Sequence, residues 1–312
     1  MSFKLGLVGL CTSHPEAWLP IIRQMVADGK VDIEVVAAWD SGETRLEGFT
    51  KEFCEKFDIP VAVENLEDMI DQVDGVIVHT TNWDCHLEQA RPFIEAGKAV
   101  VLDKPVVGNM KDAAVFLDWV RQGKRITGGS SLRFAPQVLD FLAQPEEERG
   151  KVHCSYACIG LDEYNYGIHG YAIISAIMGP GVQSVQYIGS SAQKHLKIKW
   201  ANGNIALLTV GKSAWLPFNL TVVTDKNVTQ IVAEGFYESF LENVLPYVTG
   251  QTDTPPLSID EILDPERTAM AAKMSWQNDG QEIFISDLPS DFEGYDGTQF
   301  AQEYRRARME TA

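Results

Sequence analysis

Leu5-Gly6-Leu7-Val8-Gly9-Leu10-Cys11-Thr12-Ser13-His14 is the stretch that decides the fold of this chain. An apolar run of strand length turns at a glycine and leads at once into Glu16–Ala27, where apolar residues recur at helical spacing. The same alternation then repeats. Apolar runs at Ile33–Trp39, Gly75–Val78, Ala99–Leu102 and, more weakly, near Ile126 are separated by helical stretches around Thr44–Phe57, Leu66–Gln72, His86–Ala96 and Lys111–Gln122. Near-continuous apolar strands between amphipathic helices specify a parallel sheet covered on both faces. Pro60, Gly97 and Gly123 stand where the helices should stop.

After Gly150 the pattern changes to short strands. Val152–Ile159, Val182–Ile188, Leu196–Trp200, Ile205–Val210, Leu220–Thr224 and Thr229–Ala233 follow with turn residues such as Asn202-Gly203 between them, a hairpin signal. Helical stretches at Ile168–Met178, Phe236–Val248 and Ile259–Ser275 interrupt them, the last opening with Ser258-Ile259-Asp260-Glu261, a capping box. The expected architecture is α/β: a doubly wound parallel sheet over 1–127, then an α+β domain with a large, mostly antiparallel open sheet over 128–312. The segment after Asp291 is charged, and its packing is left undetermined.

A chain of 312 residues, 45% hydrophobic, fits two domains. The 44 acidic against 26 basic side chains give a formal charge of -18, a surface that repels phosphate backbones and anionic lipid. Neither nucleic acid nor a membrane is an expected partner. The sequence begins directly with a strand and without a basic leader, so a cytoplasmic protein is expected. Cys11, Cys54, Cys85, Cys154 and Cys158 are odd in number and lack zinc-site spacing, so no disulfide framework and no metal are expected.

A strand–Gly–helix junction binds dinucleotides when it reads G-x-G-x-x-G. Starting at Gly9, the second and third glycine positions hold Cys11 and His14. Thr12, Ser13 and the helix N-terminus still offer hydroxyl and N–H donors to a phosphate, although Ser13 is equally suited to a plain helix cap. The second strand ends at Asp40, whose carboxylate is placed to accept hydrogen bonds from adenosine ribose and to repel a 2′-phosphate. NAD is therefore the expected cofactor, with Arg45 leaving NADP open. The competing reading of Asp40 is a cap for the next helix.

The most specific signal lies further on. Val76-Ile77-Val78-His79-Thr80-Thr81-Asn82 is followed by His86, Ala96-Gly97-Lys98 and Leu102-Asp103-Lys104-Pro105. Arg133-Phe134-Ala135-Pro136, Asn165-Tyr166-Gly167-Ile168-His169 and Trp200-Ala201-Asn202-Gly203 come after. In this order the set resembles the Gfo/Idh/MocA oxidoreductases, in which a T-P-N-like turn, a downstream His, A-G-K, E-K-P, R-F-x-P and D-x-G-x-H recur. Here Thr81 replaces the proline, Asp103 the glutamate, Asn165 an aspartate and Ala172 a second one. The resemblance implies that Thr80, Thr81, Asn82, His86, Asp103 and Lys104 border the cofactor, beside Gly9, Cys11, Thr12, Ser13, His14 and Asp40. It further implies that Lys104, His169 and Asn165 are catalytic and contact substrate. For Arg133, substrate contact and a domain-linking ion pair remain open.

The chemistry suits those residue types. An ammonium beside a reacting C–OH stabilises developing alkoxide charge, and an imidazole moves the alcohol proton. Asn in place of Asp can orient but cannot accept a proton. The resemblance implies an NAD-dependent dehydrogenase or reductase for a sugar, polyol or related compound, assembled as a homodimer or homotetramer through its open sheet. The alternatives are glycoside cleavage or epimerisation with internal return of the hydride, and a non-catalytic nucleotide or ligand sensor.

Overall fold

The structure is a computed structural model that describes residues 1–311. A first sheet holds β1 (Phe3–Val8), β2 (Ile33–Trp39), β3 (Val61–Ala62), β4 (Gly75–Val78), β5 (Ala99–Leu102) and β6 (Ile126–Gly128) in the order β3-β2-β1-β4-β5-β6, all parallel. This is the doubly wound dinucleotide-binding order, whose ligand crevice lies beyond the carboxyl ends of β1, where the strand order reverses. Its strands are near-continuous apolar runs because both faces are covered by α1 (His14–Ala27), α2 (Phe49–Lys56), α3 (His86–Glu95) and α4 (Met110–Arg121). The stretch Leu66–Gln72 forms a 3-10 segment rather than an α-helix, and the two-residue β3 carries too short an apolar run to be visible in the sequence.

Two helices, α5 (Pro136–Ala143) and α6 (Glu146–Arg149), lead to β7 (Val152–Ile159), α7 (Gly167–Met178), β8 (Val182–Ser190), β9 (Lys194–Trp200), β10 (Ile205–Val210), β11 (Asn219–Thr224) and β12 (Val228–Val232). Then come α8 (Phe236–Val248), α9 (Ile259–Gln277), β13 (Ile283–Phe284) and α10 (Gly297–Thr311). The second sheet has the order β12-β11-β7-β10-β9-β8-β13, antiparallel throughout except between β7 and β10. Helix α7, nearly all apolar, lies between this sheet and the rest of the protein, so it is buried on every side. The Ser258–Glu261 capping box opens α9 as the spacing requires.

One apolar cluster runs from Leu5 through Leu102 and Tyr171 to Leu288, so the two sheets share their packing, and a smaller one around Leu7, Leu19 and Phe53 lies against α2. Helix α8 reaches back to α1: Trp18 of α1 packs against Phe240 and Tyr237 of α8 at ring separations of 5.0 and 6.0 Å. Beyond the carboxyl edge of the first sheet, Lys104 after β5 meets Asn165 ahead of α7. Among the described residues, no helix is long and apolar enough to cross a membrane.

Candidate cofactor and substrate site

Gly9 follows β1 at φ 79°, and a Cβ there would stand 2.4 Å from Thr80 Oγ1 and 2.6 Å from Thr80 N. Only glycine allows this turn, both for its backbone and for the close approach of β4. The two residues that replace the later glycines turn their side chains inward. Cys11 Sγ accepts the Thr81 N–H at 3.0 Å, and burial raises its thiol pKa. His14 reaches under the sheet edge to Asp103, its Nδ1 2.5 Å from Oδ2, and its ring stacks on Trp18 at 5.2 Å. Neither side chain therefore stands on the outward face of the turn. Thr12 Oγ1 accepts the His14 N–H at 3.2 Å, whereas the exposed Ser13 makes no side-chain cap bond at the start of α1. That leaves its hydroxyl for a phosphate above the helix N-terminus.

Asp40 does not cap the next helix, which begins at Phe49 behind Gly48. Its carboxylate accepts the N–H groups of Leu10 (2.6 Å) and Gly42 (2.8 Å), fixing the turn after β1 to the turn after β2. Beside it a cleft of about 490 Å³ is lined by Trp39, Glu64, Leu66, Cys85, Glu88 and Gln89. Arg45 Nε donates to Leu10 O at 3.0 Å, which sets its guanidinium near the mouth of the same turn.

The motif residues after β4 and β5 mostly hold one another. Thr80 Oγ1 bonds Gln89 at 2.5 Å, and the fully buried His86 places Nε2 2.7 Å from Thr80 O and Nδ1 3.3 Å from Val106 O. Burial lowers the His86 pKa, and the ring sits between the β4 turn and the loop after β5 and faces no open space. Thr81 is buried with its Oγ1 unpartnered among the described residues. Asn82 caps the short turn Trp83–Cys85, its Oδ1 accepting the Asp84 N–H. Asp103 is equally committed: Oδ1 accepts the Lys104 N–H at 2.7 Å, and Oδ2 takes both His14 and His79, the latter at 3.0 Å. Burial opposes its ionisation, but the two imidazoles win and hold its pKa well below the usual carboxylate range. His14, His79 and Asp103 have metal-ligand chemistry and lie within 4.8 Å of one another, yet their contacts are direct hydrogen bonds.

This buried scaffold aims Lys104 outward. Its Nζ donates to Asn165 O (2.9 Å) and Asn165 Oδ1 (3.0 Å) and sits 5.4 Å from the Tyr166 ring centre. Burial lowers the ammonium pKa, while Asp103 and Asp162 act to keep the charge. Asp162 Oδ1 accepts the N–H groups of Tyr164 and Tyr166, shaping the approach to α7. The helix starts at Gly167, so Asn165 is not on one helical face with His169; the loop, not the helix, brings it to Lys104. His169 Nδ1 lies 2.7 Å from Ser130 Oγ. Burial first, then Lys104 and His14, push its pKa well below the ordinary imidazole value, so the ring is neutral. Aromatic side chains pack on both histidines: Phe218 lies 5.1 Å from the His169 ring, and Tyr237 lies 5.2 Å from His14.

Arg133 makes an ion pair, but with a residue of its own half of the chain, so the pair does not link the two domains. Arg133 is buried, donates to Ala172 O at 3.3 Å and lies 3.5 Å from Glu261 at the start of α9. Ser130, Tyr237 and Glu43 carry no signal in the sequence. Ser130 lies in a loop and Tyr237 in the first turn of α8, neither in a fixed motif, and only their distant partners mark them.

Residues 3–128 match the model of an oxidoreductase family, NAD-binding Rossmann fold, known as Gfo/Idh/MocA. A putative UDP-kanosamine synthase oxidoreductase subunit of Amycolatopsis mediterranei (strain S699) is 31% identical over 138 residues, 44% of this chain and 36% of that protein. A glucose-6-phosphate 3-dehydrogenase of Bacillus subtilis (strain 168) is 28% identical over 142 residues, 45% of this chain and 35% of that one. The match thus spans little more than a third of these relatives' length. Among solved structures, apo scyllo-inositol dehydrogenase from Lactobacillus casei superposes with a TM-score of 0.76 at 14% identity, covering 92% of this chain and 99% of that chain. GenD2 from gentamicin A biosynthesis, in complex with NAD, gives 0.72 at 18% identity over 91% and 96%. At such identities the likeness is one of fold.

Proposed function

We propose, from the premise that residues 3–128 belong to the Gfo/Idh/MocA oxidoreductases with their NAD-binding Rossmann fold, that this protein is an NAD-dependent dehydrogenase or reductase. Its substrate is a sugar, polyol or related compound with a secondary alcohol or ketone. NAD supplies the hydride acceptor or donor when bound. The glycine turn, Ser13, Asp40 and the cleft beside Trp39 would hold it, and the inward-turned Cys11 and His14 remove the objection that their side chains raise.

The observation that carries the reading is the Lys104–Asn165 pair, fixed from behind by Asp103 and set near a neutral His169. Lys104 exchanges a bond to Asn165 for one to the substrate oxygen and stabilises negative charge there as the C–H bond breaks or forms. His169 moves the proton. With Nδ1–H donated to Ser130 Oγ, Nε2 is left to accept the alcohol proton. The imidazolium so formed keeps its Nδ1–H on Ser130 Oγ and gives the Nε2 proton back in the reverse direction. Ser130 Oγ serves both directions as the acceptor of Nδ1–H, and it also accepts the Leu132 N–H at 3.2 Å. The rings of Tyr166, Phe218 and Tyr237 offer apolar faces to the C–H side of a sugar ring while Lys104, Asn165 and His169 take its hydroxyls. Calorimetry with NADH and NADPH tests the premise, and neither binding would end it. With polyol substrates, Lys104→Ala and His169→Ala should each lower kcat/KM by at least about a hundredfold; unchanged turnover refutes the assigned roles.

A homodimer or homotetramer is part of the proposal. Tyr156 of β7 and Leu207 of β10 are register neighbours on the open face of the second sheet, both substantially exposed. An apolar patch on a sheet face is best explained by a covering partner.

A further inference from the structure

The C-terminal helix α10 lies across the groove assigned to the dinucleotide. Its first residues press on the turn after β4. The N–H groups of Gly297 and Thr298 donate to Asp84 Oδ2 at 2.8 and 3.1 Å, and a Cβ at Gly297 would stand 2.7 Å from Asn82 Oδ1. Phe300 packs its ring on Trp83 at 5.1 Å. Further along, Arg305 Nη1 donates to Glu43 O at 3.0 Å, on the loop after β2. In the sheet order β2-β1-β4 the Gly9–His14 turn stands between those two loops, so a helix in contact with both spans the mouth of the turn. Beneath the helix the gap is bridged directly: Asn82 Nδ2 donates to Glu43 Oε1 at 2.9 Å and to Thr298 Oγ1 at 3.1 Å.

We infer that α10 and the dinucleotide compete for this one groove, so that the cofactor binds only when the helix lifts and the Glu43–Asn82 bridge opens. The inference rests on the dinucleotide reading above. A pyrophosphate reaches the N-terminus of α1 from the solvent side of the Gly9–Ser13 turn, and that is the side α10 takes. The Asn82 amide, which the sequence assigns to the cofactor, is spent on Glu43 and Thr298. Much of the helix faces solvent: Gln302, Glu303, Arg305 and Arg306 are exposed, while Phe300 and the buried Ala301 face the protein. The apparent affinity for dinucleotide is then the intrinsic affinity scaled by the fraction of molecules with α10 raised.

Hydrogen exchange of the full chain with and without saturating NADH, and in parallel NADPH, reads this directly. Peptides covering 297–309 should lose protection on binding while those covering 9–14 gain it. Protection of α10 that is unchanged or increased overturns the inference and leaves the dinucleotide reading standing. Two full-length variants that loosen the helix without touching the turn, Asp84→Ala and Phe300→Ala, should bind NADH at least about fivefold more tightly than the natural chain. Equal or weaker binding by both counts against competition. No binding of either dinucleotide by the natural chain and both variants overturns the dinucleotide reading, and the inference with it.

Discussion

Glu266 offers a perturbation whose size follows from its surroundings. It stands on α9, 1% exposed, and its Oε1 accepts the N–H of Val106 at 3.2 Å, two residues beyond Lys104. Its Oε2 is buried without a hydrogen-bond partner among the described residues. Burial pushes its carboxyl pKa up to about 8, with Arg133 too weak a counterweight to reverse it. At neutral pH the group is therefore a neutral acid in the folded protein and a carboxylate in the unfolded chain. A folded pKa raised above the unfolded one makes stability fall as pH rises from the unfolded value to the folded value, by about 1.4 kcal/mol per pH unit. Between about pH 6 and about pH 8 that slope, levelling off near the folded pKa, removes about 2 kcal/mol. Glu266→Gln keeps the acceptor for Val106 and cannot ionise. In denaturant unfolding followed by tryptophan fluorescence, the variant's advantage over the natural chain should grow by about 2 kcal/mol across that interval. Parallel pH–stability curves for the two proteins would refute the buried-acid assignment and the role of Glu266 as a neutral tether for the Lys104 loop.

Other outcomes follow from the same geometry. Asp103→Asn takes a buried charge from between His14 and His79 and should cost about 3 kcal/mol at neutral pH, read by the same unfolding assay. Because its folded pKa is depressed, the Asp103 contribution is present above the unfolded carboxylate value and fades as pH falls toward the folded one, so the two proteins should converge in acid. Gly9→Ala forces a side chain onto Thr80 at a positive φ and should lose at least about 2 kcal/mol of stability together with most dinucleotide binding, measured by calorimetry. Tyr156→Lys places a charge in the middle of the open sheet face and should shift sedimentation toward monomer; an unchanged assembly would put the interface elsewhere.

Much of this molecule was legible in its residues, and the reason is local. Strand runs of period two or of unbroken apolar character, helical spacing, Gly9 after β1 and the Ser258–Glu261 box depend on neighbours within a few positions, so they read correctly before any tertiary contact is known. The order of motifs from Thr80 to His169 leads to one sheet edge, where Lys104 bonds Asn165 and its charge is felt at His169. Direction was beyond the sequence. Cys11 and His14 occupy glycine positions, and whether they block the turn depends on Thr81 and Asp103, some 70 and 89 positions away. Arg133 had two roles open to it, and burial against Glu261 gave it a third, an ion pair within its own half of the chain. The tail after Asp291 shows the limit most plainly: Phe300 and Tyr304 have helical spacing, but a helix of exposed charged residues carries no signal of where it docks. Trp83, Asp84 and Glu43, more than 200 positions earlier in the chain, settle that, because only the folded sheet brings the ends of β2 and β4 within one helix length.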